Sequence, residues 1–182
     1  MPAKAANPFG KDKDRFVSIF PEFTPLRVKF KDVFDMKAFY EELYEWMKDH
    51  QWVDWEDKLD KFERFYGERV SPGGSKEIWI RWRLFKPAEN TPYLNYFLDV
   101  DFHVIGLGPG EAIKDGKKIK ADKGELEVTI RAFIEKNYEE EFAKHGLLKN
   151  VLNIFSQRIY RKALEQRRLD LYREAYVLQT YI

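Results

Sequence analysis

Clean two-residue alternation constrains this chain more than anything else in it. From Lys76 to Lys86, Ile78, Ile80, Trp82 and Leu84 fall on one side and Trp79, Arg81, Arg83 and Phe85 on the other. From Tyr93 to Ile105, Leu94, Tyr96, Leu98, Val100, Phe102 and Val104 oppose Asn95, Asp99, Asp101 and His103. Further on, Leu126, Val128, Ile130 and Ala132 alternate with Glu125, Glu127, Thr129 and Arg131. Period-two patterns of this kind are half-buried strands, because successive side chains point to opposite faces of a sheet. The Pro87–Pro92 connection is short, and Asp115-Gly116 between Lys114 and Lys117 is a two-residue hairpin signal. Strands joined this way form an antiparallel meander with one apolar face that helices must cover.

Two helical patterns are available to cover it. Asp35 can cap a helix in which Met36, Phe39, Tyr40, Leu43, Trp46 and Met47 recur at helical spacing. Residues Leu147 to Ile182 contain no Pro or Gly and read as helix throughout. Unbroken, that helix would run ~54 Å at ~1.5 Å per residue, against a radius of gyration of about 16 Å for a domain of this size, so it must kink or project. Leu148, Leu152, Phe155 and Ile159 form a first stripe, and Leu164, Leu171 and Leu178 a heptad-spaced second one, joined by Ala175 and Ile182. Leu26, Val28 and Phe30 predict a short strand, and Phe62–Val70 is a further strand candidate before the Ser71-Pro72-Gly73-Gly74 turn. The expected organisation is a polar arm over 1–15 and a single α+β domain over 16–182. That domain is a two-layer fold of four to six antiparallel strands, helix-grip-like, with 160–182 able to project.

Composition removes several classes of function. The chain has 182 residues with 44% hydrophobic and 16% aromatic content, enough for a real core, and a net charge of +1. Global charge therefore selects no polyanionic partner, and only local patches could. There is no cysteine, which excludes disulfides, thiolate catalysis and Cys-ligated metals. No apolar run approaches the ~20 residues of a membrane span, and the first residues lack a secretory signal. A soluble protein is expected, cytoplasmic by default, with an extracellular or particle-associated setting as the alternative.

Asp99, Asp101 and His103 share one strand face and could ligate a divalent metal. The competing and preferred reading is a charge ladder, since folding the Lys76–Lys86 strand back brings Arg81 against Asp99 or Asp101, with Arg83 next along. Gly106–Gly110 lacks the following helix that a phosphate loop requires and reads as a mobile loop. Arg158, Arg161, Lys162, Arg167, Arg168 and Arg173 make a basic run on the last helix that could meet nucleic acid, although Glu165, Asp170 and Glu174 interrupt it. Trp79 and Phe85 on a polar strand face point to a covered surface or a ligand contact, unless the Phe16–Phe30 segment forms a second layer there. The serines lie outside any nucleophile-elbow context, so no catalytic residue is assigned and no cofactor is expected.

The segments Lys76–Arg83, Leu98–Leu107, Gly116–Ile119 and Lys123–Glu125 together resemble a group of uncharacterised proteins from small-genome archaea, over a stretch from about Phe30 onward. The resemblance implies an archaeal source and no particular chemistry. Three functional expectations follow from the residues. The first is a non-enzymatic scaffolding subunit that forms homo-oligomers through the arm and through Leu164, Leu171 and Leu178. The second is a helix-grip ligand binder or enzyme with a cavity lined by Trp82, Tyr96, Leu98 and Phe155. The third is nucleic-acid binding by the basic helix.

Overall fold

The computed structural model describes residues 15–21, 24–56, 61–91, 93–114, 116–137 and 160–182. Strands β1 (Phe16–Ser18), β2 (Leu26–Phe34), β3 (Val53–Asp54), β4 (Glu63–Val70), β5 (Lys76–Pro87), β6 (Leu94–Lys114) and β7 (Lys117–Lys136) form one seven-stranded sheet. Helix α1 (Met36–Asp49) lies between β2 and β3, and α2 (Tyr160–Tyr181) follows the sheet. The fold is α+β and the strand pairings are antiparallel: β7, β6 and β5 form the centre, β1 and β2 pair with β7, and β3 and β4 pair with β5. The strand count exceeds the expected four to six because β1 and β3, of 3 and 2 residues, are too short to carry a periodic signature.

The apolar face is the expected one. Ile78, Ile80, Trp82 and Leu84 of β5, Leu94 to Val104 of β6 in alternation, and Leu126 to Ile134 of β7 are all buried. Helix α1 starts where expected, with Asp35 Oδ1 accepting from the Ala38 N–H at 2.9 Å, and it adds Met36, Leu43, Trp46 and Met47 to the core. Helix α2 adds Tyr160, Leu171, Ala175 and Leu178, with Leu164 partly buried beside them. This corrects two expectations. The helix does not project, and the leucines expected at a subunit interface, Leu171 and Leu178 above all, are spent on the chain's own core. Heptad spacing reports an apolar stripe without saying which surface covers it. The first stripe, Leu148 to Ile159, falls outside the described residues. No described helix is long and apolar enough to cross a membrane.

Gly106–Gly110 is not a loop. Strand β6 continues through it, with a register shift between Ile105 and Gly108 opposite β7. Gly106 takes φ +64°, the left-handed conformation that a bulge asks for and that glycine adopts without strain. A Cβ on Gly110 would lie 3.0 Å from Lys123 Cβ, so the two strands approach closely there. The Phe16–Phe30 segment is not a second layer either: β1 and β2 extend the sheet in its own plane beside β7.

Candidate functional site

The outer sheet face collects the side chains that alternation turned away from the core. In register, Arg83 faces Asp99, Arg81 faces Asp101 and Trp79 faces His103 across β5 and β6, while β7 sets Arg131 against Asp99 and Thr129 against Asp101. The ion pairs to Asp101 run diagonally to this register. Arg83 Nη1 donates to Asp101 Oδ1 at 2.7 Å, Arg131 Nη1 donates to Asp101 Oδ2 at 2.6 Å, and Arg83 Nε lies 3.5 Å from Asp99 Oδ1. Asp101 thus bridges two guanidinium groups. Arg81, the partner expected from sequence, instead lies 5.3 Å over the Phe65 ring, because β4 places Phe65 directly beside it.

Asp99 sits deepest in this network. Burial pushes its carboxyl up to about 6, Asp101 adding to the rise while Arg83 and Arg131 oppose it. The unfolded chain titrates near ~3.9, so between about pH 4 and pH 6 the folded state binds the extra proton. Stability from this group is fully present below pH ~4 and is lost as pH rises through 6, by about 3 kcal/mol in all. Asp99→Asn is expected to remove that slope. Urea unfolding of both proteins from pH 4 to 8 should show the variant gaining on the wild type as pH rises, and parallel curves would contradict the assignment.

His103 does not join the two aspartates. Its Nε2 lies 2.9 Å from Glu77 Oε1 and its ring stacks on Trp79 at 5.4 Å between centroids. Glu77 also pairs with Arg69, and hydrogen bonding from His103 holds its carboxyl below the ordinary carboxylate range. Among the described residues, no group of three or more His, Cys, Asp or Glu side chains is placed to hold a metal. At the other end of the face, Phe97 packs edge-on against Phe16 and Phe85, both at 5.4 Å.

The seam between sheet and α2 holds a polar group that sequence reasoning missed. Glu174 Oε1 accepts from Trp52 Nε1 at 2.9 Å and from Lys86 Nζ at 2.8 Å, and Lys86 Nζ lies 5.4 Å over the Trp52 ring. A signal existed, since Lys86 continues the apolar side of its strand in sequence. Tyr96 looks onto the same stretch of helix. Burial pushes its hydroxyl up to about 12, with Arg167 opposing and Asp170 and Glu174 reinforcing the rise.

The proposed cavity residues therefore part company. Trp82 belongs to an aromatic cluster with Tyr40, Tyr44, Phe62 and Phe102 beneath α1, while Tyr96 faces α2. Leu98 is core, and Phe155 lies outside the described residues.

The basic run on α2 is also divided. Arg167 is turned toward the sheet and pairs with Asp170 at 2.9 Å, Arg168 pairs with Glu165 at 3.1 Å, and Arg161, Lys162 and Arg173 are exposed. Arg158 is outside the described residues. The divided charges leave no continuous cationic stripe on the described helix.

On the solvent side of α2, Leu169, Tyr172, Tyr176, Val177 and Tyr181 are exposed. Phe20 reaches this row, 5.6 Å from Tyr172 and 6.1 Å from Tyr176 between centroids. The helix thus carries an inner apolar stripe in the core and an outer one in water. No family model, no curated protein and no solved structure matches the chain, so its function is read from these side chains.

Proposed function

We propose that this chain is a non-enzymatic structural subunit that associates with its own copies, and that the outer stripe of α2 makes the contact. The observation that carries the reading is the second apolar stripe. A helix lying on a sheet needs one apolar face, and a helix apolar on both sides calls for a second cover. Leu169 and Val177, each 55% exposed, sit on that outer side with Tyr172 and Tyr176 beside them. A second copy suits this surface on two grounds. A two-fold contact sets the same patch of both copies face to face, so Leu169, Tyr172, Tyr176 and Val177 would meet their own kind. A chain of net charge +1 also has no long-range field that would repel its own kind. The acids and bases of the outer sheet face support the structural side of the reading, because Asp101, Arg83, Arg131, Glu77 and His103 are committed to one another.

Leu169→Glu combined with Val177→Glu tests the reading cleanly, since exposed positions carry little of the fold's stability. The double variant should melt as the wild type does and elute as a single chain in light-scattering chromatography, where the wild type elutes as an oligomer. An oligomer that survives both charges would remove α2 from the contact.

A further inference from the structure

Beyond Leu107 on β6 and before Asp122 on β7, the sheet narrows to a two-strand ribbon. The pairing of β5 with β6 ends at Lys76–Leu107, and that of β2 with β7 ends at Phe34–Asp122. From Gly110–Ala121 to Lys114–Lys117 the two strands pair only with each other among the described residues. At ~3.3 Å per residue the ribbon reaches roughly 17 Å past the sheet. Gly116 closes it with φ +74°.

The ribbon is rich in lysine. Lys117, Lys118, Lys120 and Lys123 are all exposed, and Lys118 pairs with Glu111 at 3.0 Å. Lys117, Lys120 and Lys123 have no carboxylate partner among the described residues. Asp122, the neighbouring acid, accepts from the Met36 N–H at the start of α1. Alternation sets Lys117 and Lys123 on one ribbon face and Lys118 and Lys120 on the other. The face with Lys117 and Lys123 also carries Gly110, Ala112, Ala121 and the exposed Ile119. At the far end Ile113 is 76% exposed.

We propose that this ribbon is a binding arm for double-stranded DNA. Cations on both faces suit an element with phosphates on both sides, which is the situation inside a groove; a flat partner would call for one charged face. The major groove of B-form DNA, about 12 Å wide, admits a two-stranded ribbon, whereas the deep, narrow major groove of A-form RNA does not. Phosphate contacts from lysine would dominate the affinity and be largely independent of sequence. This site is separate from the α2 stripe and does not depend on self-association.

Fluorescence anisotropy with a labelled 20-base-pair DNA duplex tests it, on the full chain, with salt varied from about 50 to 200 mM. The wild type should bind at low salt, with the logarithm of affinity falling against that of salt with a slope of about −3 to −4, from ~0.9 per lysine–phosphate contact. Lys117→Ala, Lys118→Ala and Lys120→Ala together should reduce that slope by about 2 to 3 and lower low-salt affinity at least tenfold. The melting curve should not change, because these side chains are exposed. Absence of binding at 50 mM salt would overturn the proposal, as would a triple variant that binds like the wild type. Dissociation of the oligomer by Ile113→Glu, with DNA binding by the triple variant unchanged from wild type, would assign the ribbon to contacts between copies and also overturn it.

Discussion

Trp82→Ala is expected to destabilise the protein by about 3 to 5 kcal/mol, the range for deleting a large aromatic from a closed core. Trp82 is fully buried, and its ring meets Tyr40, Tyr44, Phe62 and Phe102 at centroid distances of 5.1, 6.4, 5.7 and 4.9 Å. These neighbours come from α1, the stretch before β4, and β6, so no single element can move to fill the void. The side chain also donates from Nε1 to Tyr40 Oη at 3.0 Å, and Tyr40 in turn donates to Glu63 at 2.9 Å. Trp82→Phe keeps much of the ring volume and loses the donor together with part of the indole, so it should cost less than Trp82→Ala. Urea denaturation of both variants separates the two contributions. A loss below about 1 kcal/mol for Trp82→Ala would mean that the cluster is not packed as described. Domains of this kind retain only about 5 to 15 kcal/mol in total, so the alanine variant should lie near the edge of folding.

Asp101→Ala is expected to cost about 3 kcal/mol, well above what a surface ion pair is worth. The reason is what stays behind. The Arg83 side chain is only 10% exposed and would keep its charge with Asp99 alone beside it, at 3.5 Å. Arg131 would lose its partner as well. Replacing Arg83 by Met in the Asp101→Ala background should recover part of the loss, since it removes the stranded cation. Chemical denaturation of the single and double variants gives the coupling directly. If Asp101→Ala costs under 1 kcal/mol and is insensitive to Arg83→Met, the network is an ordinary solvent-screened ladder.

The sheet was legible because alternation is a strict code. A slip of one residue would turn every core side chain of β5 or β6 outward, and the observed faces match the pattern from Ile78 to Leu84 and from Leu94 to Val104. Composition at Gly106–Gly110 suggested a loop, yet a bulge lets the strand absorb the glycines and run on into the ribbon. The arginine–aspartate network was legible in kind and misassigned in detail. Register places Arg81 opposite Asp101, but a long arginine reaches diagonally, and which guanidinium arrives depends on what else competes for it; Phe65 competes for Arg81. Leu171 and Leu178 show the reverse limit, since periodicity finds a stripe and cannot name its cover. The partnership of Lys86 with Glu174, 88 residues apart, carried no local signal beyond a lysine on an apolar strand face.

Sedimentation equilibrium of the wild-type chain over a wide concentration range tests self-association most directly. The account predicts a weight-average mass that rises with concentration, or stands throughout, at a whole multiple of 21.9 kDa. A single species of 21.9 kDa at every concentration would contradict it.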